Sequence, residues 1–195
     1  MALREEANHL AEQLFGDDVK KRADFTSSLM DICSRASDKD FILIHNPGGW
    51  GSTDWEGLLQ WERSIVDGVS ATMGKLGYEC SSMQYFRTRH SWRAEMGDIR
   101  EQTRFFSSKA RIMAAELEFV TRHFDTLRVI MIGVSQGAAF GNAVAQNLNG
   151  LNRVFSIEMG IPFPYKSRRV ITERTLVLDS NGLMPDALMD WNVPT

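Results

Sequence analysis

Two hydrophobic periods interleave along this chain. Leu3, Ala7, Leu10 and Leu14 recur at helical spacing over residues 2–15, and Phe25, Leu29 and Ile32 repeat the pattern after a break at Gly16-Asp17-Asp18. These stretches predict one or two amphipathic helices ahead of any strand. Phe41-Ile42-Leu43-Ile44 is then continuously apolar, the signature of a strand covered on both faces. It runs into His45-Asn46-Pro47-Gly48-Gly49-Trp50-Gly51, a loop whose glycines let the backbone approach a ligand. Thr53-x-x-Glu56 has the form of a capping box, and Leu58, Trp61, Ile65, Val69 and Leu76 predict a helix with one apolar face up to Gly77.

Residues 78–86 form a second strand, polar enough to suit a sheet edge. Arg87 to Gly97 is a basic, aromatic loop that reads as surface, or as the border of a site at the strand's end. Phe106, Ala110, Met113, Leu117, Val120 and Phe124 alternate spacings of four and three and predict a helix over about residues 98–124. Val129-Ile130-Met131-Ile132 is a third strand, and a small-residue helix follows from Gln136 to about Leu148, ended by Asn149-Gly150. Val154 to Glu158 is a fourth strand. The proline-rich loop Gly160 to Tyr165 follows it, and the cations Lys166, Arg168 and Arg169 after that read as solvated surface, or as contacts for an anionic substrate tail. Arg174 to Asp179 is a fifth strand, residues 180–186 its exit loop, and Ala187-Leu188-Met189 a last short helix.

Strands alternating with helices imply right-handed crossovers. The predicted fold class is α/β: a three-layer α/β/α arrangement around a mostly parallel sheet of about five strands. Residues 1–40 are a helical segment packed on a domain spanning 41–195.

Composition narrows the function classes. With 195 residues, 43% hydrophobic and 24% charged, the chain has the make-up of one globular domain. A net charge of −3 offers nothing to nucleic acid or to an anionic membrane. Cys33 and Cys80 lack metal-ligand spacing and make no disulfide framework, which suits a reducing compartment. The opening Met1-Ala2-Leu3-Arg4-Glu5-Glu6 has no apolar signal core, and no apolar run reaches membrane-spanning length. The expectation is a cytoplasmic protein without metal, cofactor or membrane span.

The candidate chemistry lies at Gly133-Val134-Ser135-Gln136-Gly137. This G-x-S-x-G stands between an apolar strand and a small-residue helix, the context of a nucleophile elbow. A sharp strand-to-helix turn projects the serine Oγ clear of the sheet and brings the flanking residues together, so both must lack side chains. The helix start aims N–H groups at the site, and the Gln136 N–H becomes an oxyanion donor. The glycines at 48, 49 and 51 alone would also allow a phosphate cradle, but the G-K-[ST] ending of that motif is absent.

On the 45–51 loop and the Gly133–Gly137 elbow, in that order, the chain resembles the α/β-hydrolases over about residues 41–190. The first motif is similar to the H-G-G-G-type loop of lipases and esterases. The resemblance implies a serine hydrolase acting on a carboxylic ester or thioester of a small-molecule substrate. Ser135 would be the nucleophile, and Gln136 with Gly48 or Gly49 would form the oxyanion hole. Asp186 would be the acid, with Asp179 second choice or a supporting partner. Trp50, Trp55, Trp92, Phe163 and Tyr165 would line an acyl pocket or belong to the core.

The family's base is a His placed after the acid, and none of His9, His45, His90 or His123 follows Ser135. Three explanations are open. The missing strand and His lie beyond Thr195; the fold is a non-catalytic binding scaffold; or His45 or His90 substitutes as base. A missing last strand would leave a sheet edge that invites homo-oligomers.

Overall fold

The break at Gly16 resolves the leading pattern into two helices. α1 spans Ala2–Phe15 and α2 spans Val19–Ala36. Asp18 starts the second by accepting the Lys21 N–H at 3.0 Å, and Thr26 Oγ1 donates to Asn8 Oδ1 at 3.0 Å to hold the pair together. The structure is a computed structural model and describes residues 2–49, 53–87, 106–148 and 150–179.

Beyond the helical pair the elements are β1 (Phe41–Asn46), α3 (Gln60–Lys75), β2 (Cys80–Gln84), α4 (Ser107–His123), β3 (Arg128–Val134), α5 (Gln136–Asn147), β4 (Val154–Met159), α6 (Phe163–Lys166) and β5 (Thr175–Leu178). The strands form one sheet in the order β2-β1-β3-β4-β5, and every pairing is parallel. Period-two alternation then sorts the side chains. Ile42, Ile44, Val129 and Met131 face one way, into a core shared with α1, α2, α4 and α5. Leu43 and Ile132 face the other way, against Val66 of α3. The expected three layers are present.

This topology places the site. β1 and β3 are neighbours, yet the helix after β1 covers one face and the helix after β3 covers the other. Their carboxyl ends therefore open a crevice, the switch point at which sheets of this kind bind ligands.

Several local expectations are corrected. No helix starts at Thr53-x-x-Glu56. Asp54 there accepts the Gly57 N–H in a turn, and α3 begins only at Gln60. Its cap is built by Glu62 at the third helical position, whose carboxylate takes back the N–H of Leu59. The buried stripe of α3 accordingly passes through Glu62 and Val66, while Trp61 and Leu76 are exposed. The long helix cannot run through Phe106, whose φ of 57° is left-handed, so it starts at Ser107; residues 98–105 lie outside the described set. Its stripe of Phe106, Ala110, Met113, Leu117 and Val120 is buried as expected. The 160–165 loop carries the short helix α6, and the 187–189 helix falls outside the described residues.

Candidate active site

Ser135 sits between the end of β3 and the start of α5 with φ 51° and ψ −119°. A non-glycine residue there carries strain of roughly 1–3 kcal/mol, which only the surrounding structure can hold. The constraint is visible on every side. Ser135 N–H donates to the Met159 carbonyl of β4 at 2.8 Å, and its own carbonyl accepts the N–H groups of Ala138 and Ala139 at 3.0 and 3.1 Å. A Cβ on Gly133 would lie 2.6 Å from Ala138 Cα, and one on Gly137 would lie 2.0 Å from the Asn46 carbonyl oxygen. Both glycines are therefore demanded by contact. Ser135 and Gln136 are half-buried, and no described residue makes a hydrogen bond to Ser135 Oγ.

The β1 loop comes up beside this corner. A Cβ on Gly48 would stand 3.7 Å from both Ser135 Cβ and Glu62 Oε1. The Gly48 N–H is already given to the Glu62 carboxylate. That carboxyl is buried, which raises its pKa, and the N–H bonds from Gly48 and Leu59 oppose the rise. Gly49 has φ 55°. Arg87 fixes the loop from beneath: Nη2 donates to the Pro47 carbonyl at 3.0 Å and to the Gly49 carbonyl at 2.7 Å. Its guanidinium also lies over the rings of Phe106 and Phe140 at 5.4 and 5.6 Å. Arg87 itself is thus a buried anchor; the rest of the 87–97 segment, residues 88–97, lies outside the described set.

The candidate bases and acids among the described residues are dispersed. His45 is fully buried on the α3 face, edge-on to Trp55 with ring centroids 6.1 Å apart, and neither ring nitrogen has a hydrogen-bond partner. Burial, then the nearby Arg87 charge, lowers its pKa to about 4. His9 lies on the α1 surface, while His123 ties α4 to α1 through Glu6 Oε2 at 3.0 Å. His90 and Asp186 are outside the described residues. Asp179 accepts Arg169 Nη1 at 2.7 Å, and Arg169 Nε donates to Glu158 Oε2 at 2.8 Å. Glu158 also accepts from Asn142 Nδ2 at 2.9 Å and from Ser156 Oγ at 3.1 Å. Arg169, read from the sequence as solvated, has a side chain only 5% exposed.

The described aromatics, Trp55, Phe163 and Tyr165, do not converge. Trp55 is half-buried against His45, Tyr165 stacks on Phe106 at 5.8 Å, and Phe163 is exposed; Trp50 and Trp92 are undescribed. Glu62 and Arg87 were not singled out by sequence reasoning. For Glu62 a signal existed, since Glu62, Val66 and Val69 share one helical stripe. Among the described residues no group of three or more His, Cys, Asp or Glu is arranged to hold a metal, and no helix is long and apolar enough to cross a membrane.

A parallel five-stranded sheet with its serine on a strained strand-to-helix corner and a glycine loop beside it is an α/β-hydrolase fold. Among solved structures the chain is similar to a cutinase of Trichoderma reesei in complex with a C11Y4 phosphonate inhibitor. The two are 14% identical, with a TM-score of 0.54, and the match covers 92% of this chain and 84% of the cutinase chain. No protein-family model matches the sequence. No curated protein matches it either.

Proposed function

We propose that the protein is a serine hydrolase acting on a carboxylic ester or thioester of a small-molecule substrate. The observation that carries this reading is the backbone of Ser135, held at φ 51° by contacts that forbid side chains at positions 133 and 137. An idle serine has no need of such a corner. Ser135 Oγ attacks the acyl carbon, its proton passes to a base, and the carbonyl electrons move onto oxygen. Gln136 N–H and a donor of the β1 loop receive that oxyanion. With the Gly48 N–H committed to Glu62, Gly49 is the remaining donor of the expected pair. The fold is shared with a cutinase bound to a phosphonate, whose tetrahedral phosphorus has the shape of an acyl-transfer intermediate. Asp186 is the acid in this reading. Asp179, engaged by Arg169, is the supporting partner. Two thiols, Cys33 and Cys80, support a cytoplasmic setting, and the apolar outer strand β5, with Leu176 and Leu178 exposed, supports self-association at that edge.

A second reading is a hydrolase-like binding scaffold without turnover. It is favoured by His45, whose buried ring has its pKa lowered to about 4 and makes no bond to Ser135. Intact mass after exposure to a fluorophosphonate separates the two. A single adduct that is lost in Ser135→Ala establishes an activated serine, and its loss in His90→Gln or His45→Gln names the base. Absence of any adduct in the parent chain overturns the hydrolase reading for this chain and leaves the scaffold.

A further inference from the structure

Away from the serine, a cavity of about 1020 Å³ opens between α2, α4 and the outer strand β2. Neither Ser135, Gln136 nor the 46–49 segment lines it. Glu116 of α4, which lines it, is only 2% exposed. The hydroxyls of Ser28 and Tyr85 bond to this carboxyl, yet Oε2 has no hydrogen-bond partner. A buried acceptor left open in this way is costly unless something occupies it. Burial raises the pKa of Glu116 to about 7, so a bound cation would easily draw it into the ionised form.

The rest of the lining selects the occupant. Phe15, Phe25, Met83 and Ile112 supply apolar walls. Among the described residues that line the cavity, six carboxylic side chains stand against four cations. Two of those acids are neutralised locally, Asp18 by Lys21 at 2.9 Å and Asp31 by Arg35 at 2.9 Å. The remaining charge is negative. An anion would be repelled there, and a neutral alcohol would gain no charge pairing with Glu116. We propose that this cavity binds a small amphipathic amine, its ammonium donating to Glu116 Oε2 and its apolar part lying against Phe15, Phe25, Met83 and Ile112. Its lining includes neither Ser135 nor the 46–49 segment, and binding there requires no turnover at Ser135.

The test is calorimetric titration of the full chain with 4-phenylbutylamine at neutral pH, with 4-phenylbutanol as the uncharged comparison. Saturable binding with one amine per chain is expected, at least tenfold tighter than for the alcohol. Glu116→Gln keeps acceptor and donor for Ser28 and Tyr85 but removes the charge, and should weaken the amine at least tenfold. Ile112→Trp fills the cavity and should abolish binding. Thermal unfolding checks that both variants fold; if Glu116→Gln does not, Ile112→Trp and the alcohol decide. No saturable binding to the parent chain, equal affinity for amine and alcohol, or undiminished binding in the folded variants overturns the proposal.

Discussion

Gly137 and Asn46 meet without room for a carbon atom between them: a Cβ on the glycine would lie 2.0 Å from the asparagine carbonyl oxygen and 2.7 Å from its carbonyl carbon. The elbow helix and the end of β1 are thereby pressed together, which seats Ser135 beside the Gly48-Gly49 loop. Both atoms on the far side are backbone, so no rotamer change relieves the clash. Gly137→Ala is expected to cost at least about 4 kcal/mol and to leave little folded protein. One helical turn on, a Cβ at Gly141 would meet only Asn46 Nδ2, at 3.9 Å. Gly141→Ala should therefore be tolerated, or stabilise by up to about 1 kcal/mol through helix propensity. Urea midpoints of the two variants check the contrast, and similar midpoints would show that the close approach is not real.

The left-handed backbone at Ser135 sets function against stability. Glycine adopts φ 51° without a Cβ penalty, so Ser135→Gly should unfold at a higher temperature than Ser135→Ala, by roughly the 1–3 kcal/mol of strain less the entropy glycine brings. Neither variant should take up a fluorophosphonate. Differential scanning calorimetry with intact mass reads both at once. Equal melting temperatures for the two would mean that the corner is unstrained.

Much of this was legible because it is written in local patterns. The apolar runs at Phe41–Ile44 and Val129–Ile132 announce buried parallel strands, and both strands appear where expected, the second turning into a helix at Ser135. What was not legible depends on partners far away in sequence. Arg87 looks solvated until β2 delivers it beneath the carbonyls of Pro47 and Gly49, some forty residues earlier. Arg169 looks solvated until β4 and β5 bring Glu158 and Asp179 to it. Thr53-x-x-Glu56 has the spacing of a cap, but the cap is made by Glu62, because that residue also reaches Gly48. A short motif cannot reveal such a choice between local alternatives.

The Arg169 bridge can be weighed by removing it. Its side chain is 5% exposed and that of Glu158 only 1%. Arg169→Met would strand a buried carboxylate still held by Asn142 and Ser156. A loss of about 3 kcal/mol is expected, the lower end for a broken buried pair, because those two donors remain. Adding Glu158→Gln removes the uncompensated charge and should recover more than half of the loss. If the double variant is no more stable than Arg169→Met in chemical denaturation, the cost lies in packing and not in charge.

Two buried groups oppose one another in the pH dependence of folding. Glu116 is raised from 4.5 to about 7, so between those values the folded chain keeps a proton that the unfolded chain has released. Its contribution is full below pH 4.5 and is lost as pH rises through 7, about 3 kcal/mol in all. His45 is lowered from 6.5 to about 4, so in the same region the unfolded chain binds the extra proton. Its contribution is full above pH 6.5 and is lost as pH falls toward 4, again about 3 kcal/mol. The two slopes are opposite and nearly equal, and the parent protein should be unusually flat in stability between pH 4.5 and 6.5. Glu62, also raised by burial, tilts the balance slightly toward the acid side. Substitution exposes each slope. Glu116→Gln should make stability rise with pH across that window, by up to about 3 kcal/mol, because only the histidine then titrates. His45→Gln should make it fall with pH by a similar amount, because only the carboxyl remains. Urea denaturation at half-unit pH steps measures all three profiles. Parallel profiles for the parent and Glu116→Gln would mean that Glu116 is ionised in the folded protein, and its burial would then have to be offset by a cation brought to it.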